Sequence, residues 1–446
     1  MSHTLFSHRV LIDGRLVRAR VGWSGDRIDL VAPAEAPCKG DVLLGDLLVT
    51  PGVVDTHVHV NEPGRSEWEG WQTATAAAAL GGVTVLADMP LNSDPVTTSR
   101  DALGAKLASM QGQLRVDCAL WGGVVPGNVA ELAPMVRDGV SGFKCFLCHS
   151  GIDDFPRVER ADLLRAMPVL RDAGVPLLVH AELESELAEA VQAPDDEYAS
   201  WLHARPPEFE DAAVAMMVEL CRQTGCPVHI VHLSSAGAVD LLRAAKAEGL
   251  PISAETCPHY LCLRAEDVPR GDTTWKCAPP IRPNANRELL WKALDEGVID
   301  FVVTDHSPCI PGLKRLDTGS FPDAWGGIAS LQLGLASVST EARRRGHGWA
   351  RISAWMSQGP ARLLGHGSGR IEVGARADLI AVAPDAGFVV DGTALAHRHP
   401  LTPYDGMALT GQVKHTWLRG HQIVEDSQLV DVFAGQPLPR TSGLPR

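Results

Sequence analysis

Val53-Val-Asp-Thr-His57-Val-His59 is an apolar, β-branched run that ends in two histidines one residue apart. A dinucleotide-binding fold would follow its first strand with a Gly-rich G-x-G-x-x-G turn, and this strand runs into imidazoles instead. In a strand, residues two apart point to one face, so His57 and His59 can reach the same metal ion; a pair of histidines lining a polar mouth without metal is the plainer alternative.

Working outward, short apolar runs recur near 83–88, 116–122, 140–146, 176–180, 228–232, 251–256 and 299–304. Segments of helical pattern alternate with them, at 68–80, 98–111, 159–173, 208–223, 236–248 and 286–296. Eight strands in βα alternation predict an α/β protein built on a TIM-type (β/α)8 barrel over residues 51–366. Residues 1–50 and 367–446 carry short alternating segments punctuated by Gly and Pro. They read as antiparallel strands that meet in one small β-sandwich domain beside the barrel, followed by a tail.

Lys144, His180, His232 and Asp305 each fall at the C-terminal end of an expected strand, the face where active sites of TIM barrels assemble. Singly, each is as well explained as a cap or a loop residue. Jointly with His57 and His59 they form a metal-ligand set. An ammonium has no lone pair to give a metal, so Lys144 fits only if burial deprotonates it and carbon dioxide converts it to a carbamate. The two carbamate oxygens then serve two cations, one with His57, His59 and Asp305, the other with His180 and His232. Two divalent ions are expected, zinc first, with manganese or cobalt suited to the same donors. A hydroxide bridging them would be a nucleophile near neutral pH, with Asp305 as the proton carrier.

The rest of the composition narrows the field. The chain has 446 residues, 45% hydrophobic and 21% charged, with 40 Lys plus Arg against 54 Asp plus Glu, a net −14. That balance excludes disorder and coiled coil, and the absence of a basic stripe speaks against nucleic acid or an anionic membrane as partner. No apolar run approaches the ~20 residues of a membrane span, and the N-terminus lacks the pattern of an export signal, so a cytoplasmic location is expected. Ten cysteines then read as free thiols; Cys145-Phe-Leu-Cys148-His149 spells a c-type haem attachment pattern, whose chemistry needs export.

The stretch Val54-Asp-Thr-His-Val-His-Val-Asn-Glu-Pro-Gly-Arg65 resembles the signature of the cyclic amidohydrolases: dihydroorotases, hydantoinases (dihydropyrimidinases) and allantoinases. Asn61–Gly70, Asp88–Ser93, Gly142–Phe146, Glu255–Tyr260, Trp275–Arg282, Thr304–Cys309 and Ala324–Ile328 are similar to allantoinases in particular, in order from about residue 50 to 420. The resemblance implies a barrel with a β-sandwich, a dinuclear centre on the six residues above with carboxylated Lys144, a homotetramer, and conversion of allantoin to allantoate in purine breakdown. A hydantoinase with the same centre is the nearest rival; a non-catalytic scaffold of the same fold is the other.

Substrate contacts are expected from Asn61, Asn92, His149, Cys277, Ser307 and Trp325. Dihydroorotases place Arg where Asn61 stands, to fork onto a substrate carboxylate, so Asn61 suits an uncharged substrate. Hydantoinases carry Tyr where His149 stands; His149 is either a replacement donor or a solvent-facing loop residue. Asn92 and Ser307 either bind ureido groups or cap helices, and Cys277 and Trp325 either line the pocket or pack. Trp68 and Trp71 read as core.

Overall fold

The computed structural model describes residues 2–183 and 193–440. Its centre is a run of parallel strands separated by helices. Val53–Val58 pairs with Val83–Asp88, and that with Asp117–Leu120. Gly122–Gly123 continues the third strand and pairs with Phe143–Phe146, followed in order by Leu177–His180, Val228–Ile230, Ile252–Thr256 and Phe301–Val302. Taking Gly122–Gly123 with Asp117–Leu120, these parallel strands number eight among the described residues. A bridge between Val58 and His306, with His59 N donating to the His306 carbonyl at 2.8 Å, brings the first strand beside the segment that follows the last.

Each strand is short and apolar, and helices cover it, as βα connection requires. The helices Trp71–Leu80, Arg100–Ser109, Arg160–Ala173, Pro207–Thr224, Val239–Ala247 and Asn284–Asp295 follow the expected periodicity, with ends moved by a few residues. One of the two three-residue shifts has a clear cause. The helix expected from Trp68 starts at Trp71, because Gly70 before it takes φ 101° and the Glu62 carboxylate receives the Trp71 N–H at 2.9 Å.

Strands from both chain ends share one nine-stranded sheet: Leu379–Val389 pairs with Leu48–Pro51, which pairs with Ser2–Ile12. The sheet is mixed rather than wholly antiparallel, since Ser2–Ile12 runs parallel to both Leu48–Pro51 and Val42–Leu43. The hairpin of Arg15–Ser24 and Arg27–Pro33 lies between, and the two short strands then follow one another along Ser2–Ile12, Val42 opposite Leu5 and Leu48 opposite Arg9. Val10, Val21, Trp23, Val49, Leu379 and Trp417 bury a common apolar cluster within it.

A buried ion cluster fastens this sheet to the parallel strands. Asp117, fully buried on the third strand, accepts from Arg376 at 2.6 Å, from Arg419, and from the Gln436 N–H at 2.9 Å. Residues 435–440 then run along the strand, with Leu438 N donating to the Cys118 carbonyl. Asp117→Ala would take from Arg419 a carboxylate partner and leave Arg376 paired with Asp378 alone; unfolding in urea is expected to show a loss of up to about 3–5 kcal/mol. A loss below about 1 kcal/mol would mean that the guanidiniums do not depend on this carboxylate.

Candidate metal centre

His57 lies inside the first parallel strand, His59 just beyond it, Lys144 inside the fourth and His180 at the end of the fifth. His232 and Asp305 come two and three residues after the sixth and eighth strands end. All six are at most 6% exposed. Their side chains converge: the His57–His59, His57–His232 and His180–His232 ring centroids are 5.6, 5.3 and 4.6 Å apart. Asp305 Oδ1 stands 3.2 Å from His57 Nε2 and 3.5 Å from His59 Nε2, and Lys144 Nζ stands 3.0 Å from His57 Nε2. Donor atoms of His57, His232 and Asp305 all lie within 4.8 Å of one another.

The backbone is bent to achieve this. His232 (φ 40°) and Asp305 (φ 45°) adopt left-handed conformations that cost free energy for residues with a Cβ, and Asn61 (φ 66°) and Asn92 (φ 67°) adopt the same region, which Asn tolerates better. Asp55 holds the turn at the eighth strand: its carboxylate accepts from the Thr304 hydroxyl at 2.6 Å and from the His57 N–H at 3.1 Å. One side chain thus sets both the first strand and the residue before Asp305.

Burial decides the protonation states. It pulls Lys144 down to about 8, within reach of the neutral amine near physiological pH. Burial, and then the charge on Lys144, pulls His57 down to about 3, so the ring is neutral. Burial raises Asp305, but His57, His59 and His232 more than offset this and hold its carboxyl well below the usual range. Neutral imidazoles, an ionised carboxylate and a lysine close to deprotonation form a set of lone-pair donors. The Nδ1 atom of His232 is buried without a hydrogen-bond partner, so the set has an unmet need for something to bind. These residues fit a divalent cation.

A cavity of about 430 Å3 opens above them, with His59, Lys144, His180, His232 and Asp305 in its floor. That volume suits a small ring compound. Asn92, His149, Ser307 and Trp325 also line it. Asn92 Nδ2 sits 3.4 Å from His59 Nδ1, Ser307 donates to the Asp305 carbonyl at 2.9 Å, and Trp325 packs edge-on to Trp68 at 4.9 Å. His149 has a largely exposed side chain whose Nδ1 accepts from the Gly151 N–H at 3.1 Å.

Two expected contacts are placed elsewhere. Asn61 is fully buried and donates to the Pro308 carbonyl at 3.3 Å, and Cys277 is buried with its thiol on the Pro279 carbonyl; neither is among the described residues that wall the cavity. The cavity also has cations that sequence reading passed over. Lys276 donates to the carbonyls of Pro322 and Ala324, and Arg205 to the buried Glu182, which also meets His180 Nε2 at 2.6 Å. Glu182 and Glu255 were likewise legible in principle, as carboxylates set in or just after apolar strand runs.

Comparison with known proteins agrees with this architecture. The model of the amidohydrolase family matches residues 48–423. A protein of Streptomyces avermitilis named allantoinase is 47% identical over 431 residues, covering 96% of each chain. One of Saccharomyces cerevisiae with the same name is 44% identical, covering 84% of this chain and 82% of the relative. Among solved structures, an L-hydantoinase (dihydropyrimidinase) from Arthrobacter aurescens superposes with a TM-score of 0.92 at 27% identity, covering 99% of this chain and all of the other. With the family model matched across most of its length and its closing strands arranged around this centre, the chain belongs to the amidohydrolase family.

Proposed function

We propose that this protein is an allantoinase, opening the ring amide of allantoin by hydrolysis to give allantoate. The reading extends to architecture: the eight parallel strands, joined at Val58 and His306, form a closed (β/α)8 barrel over 51–366, and the chain ends form a β-sandwich domain, 1–50 with 367–446, the latter including a tail whose residues 441–446 lie outside the described ones. The observation that carries the function is the buried Lys144, whose Nζ faces His57 Nε2 at 3.0 Å inside a ring of imidazoles and one carboxylate. A structural lysine would find a carboxylate partner there. One that gives up its proton and takes carbon dioxide becomes an anion that this donor set can share with cations.

Two divalent ions, zinc by preference, are the expected cofactors, held by His57, His59, His180, His232, Asp305 and the Lys144 carbamate. Such ions, when bound, lower the pKa of water toward neutrality and polarise a carbonyl. The chain supplies the rest. Asp305, at the cavity floor, takes the proton of the attacking water and returns it to the ring nitrogen as the amide opens. Asn92 and Ser307 offer hydrogen bonds to a ureido arm, and Trp325 supplies an apolar wall. His149, on an exposed loop, reaches the mouth.

Charge favours a neutral substrate. Arg205 and Lys276 are engaged by Glu182 and by backbone carbonyls. A substrate carboxylate therefore meets no cation reserved for it among the described walls, and leaving it unpaired costs several kcal/mol. The sequence relatives named allantoinase favour allantoin, while the structural neighbour named hydantoinase shares the fold at lower identity. We read the protein further as a cytoplasmic homotetramer, which sedimentation would test.

Assayed side by side, kcat/KM should fall from allantoin to hydantoin and dihydrouracil, and be lowest for dihydroorotate. Faster turnover of hydantoin or dihydrouracil would overturn the substrate, and dihydroorotate in first place would overturn the charge argument. Elemental analysis of active protein should find about two divalent ions per chain. Full activity with one ion would remove the paired centre. Lys144→Ala should lose metal and activity together, and Lys144→Arg should not restore them, since arginine keeps its charge and carries no carbamate; near-normal activity in either would remove the carbamate.

A further inference from the structure

A carboxylate stands directly behind the first imidazole of the centre. Glu255, in the seventh strand, places Oε1 2.5 Å from His57 Nδ1, on the side of the ring opposite Lys144 and Asp305. Its other oxygen, Oε2, lies 3.0 Å from His229 Nε2, and His229 Nδ1 lies 2.8 Å from the hydroxyl of Ser253. Glu255, His57 and His229 are wholly buried.

With Glu255 ionised and both imidazoles neutral, one arrangement of protons satisfies every contact. A carboxylate accepts and does not donate, so the imidazole nitrogens facing it, His57 Nδ1 and His229 Nε2, both carry hydrogen. His229 Nδ1 then accepts from the Ser253 hydroxyl. His57 Nε2 is left with its lone pair, aimed at Lys144 and Asp305. We propose that Glu255 is a positioning residue that locks His57 in the tautomer able to bind metal through Nε2, with His229 and Ser253 fixing the carboxylate's orientation. The inference rests on His57 being a ligand, as read above.

Glutamine at 255 keeps the shape but offers one donor group where two acceptors are needed. Either His57 or His229 must then turn over its tautomer, and a His57 with hydrogen on Nε2 has no lone pair there for the metal. Partners of this kind are commonly worth about 10–100-fold in metal affinity.

The test measures zinc uptake by wild type, E255Q, E255D and S253A across a buffered series of free zinc, with thermal melts of the metal-free chains. E255Q should need about 10–100-fold more free zinc for half-filling. At saturating zinc its kcat should recover while KM for allantoin stays near wild type. E255D, which restores the carboxylate, should fall between the two, and metal-free melts should match. S253A should shift half-filling a few-fold in the same direction, and it carries the test if the Glu255 variants do not fold. Wild-type zinc affinity in E255Q, or in S253A where that variant carries the test, would overturn the proposal. So would a weakening matched by loss of metal-free stability that E255D does not relieve. A wild-type chain that takes up no divalent ion would overturn the ligand reading, and this inference with it.

Discussion

Everything in this molecule follows from placing a lysine where an ammonium cannot be comfortable. Lys144 is 1% exposed with its Nζ 3.0 Å from His57 Nε2, and desolvation costs the charged amine more than the carboxylates of Asp305 and Glu255 return. The neutral amine is the accessible answer, and burial lowers its pKa to about 8; Lys276, in the cavity wall, is pulled down to about 7 by the same burial, but its amine donates to the carbonyls of Pro322 and Ala324 and does not face the imidazoles. Short strands make that placement possible, because the first, fourth, fifth, sixth and eighth bring their ligands to a common end without bringing solvent with them.

The ends of the strands need bracing, and the braces are carboxylates. Asp55 joins the first strand to Thr304 at the end of the eighth, and in doing so supports the left-handed turn at Asp305. Glu182 meets His180, and its second partner, Arg205, lines the cavity. Asp117 does the same work at distance, tying the sheet of the two chain ends to the third strand through Arg376 and Arg419. Each is a buried acid with its partner in place, so each specifies geometry rather than adding much net stability.

Much of this is readable in the chain because strands of a parallel sheet leave a plain signal: short apolar runs at regular intervals, with one polar residue where each run ends. His57, His180 and Lys144 stand out for that reason. What the signal omits is direction. Asn61 follows the histidines as a pocket residue would, yet its φ of 66° turns the amide toward the Pro308 carbonyl. Cys277 sits between two residues that line the cavity, Lys276 and Ala278, and itself points away from it. Conversely Arg205 and Lys276 reach the cavity from the bend after the short helix Tyr198–Ala204 and from a loop, where no periodicity marks which side chains turn inward. The sheet of the chain ends shows the same limit, since alternation identifies its strands but not which neighbours run parallel.

The account stands or falls on what Lys144 carries. Metal-free protein reconstituted with zinc and 13C-bicarbonate should give a carbamate carbon signal in its 13C spectrum, absent from Lys144→Ala, and protein reconstituted without carbon dioxide should bind metal poorly and remain inactive. Full metal content and full activity after reconstitution in rigorously carbon dioxide-free buffer, with no carbamate signal, would contradict it.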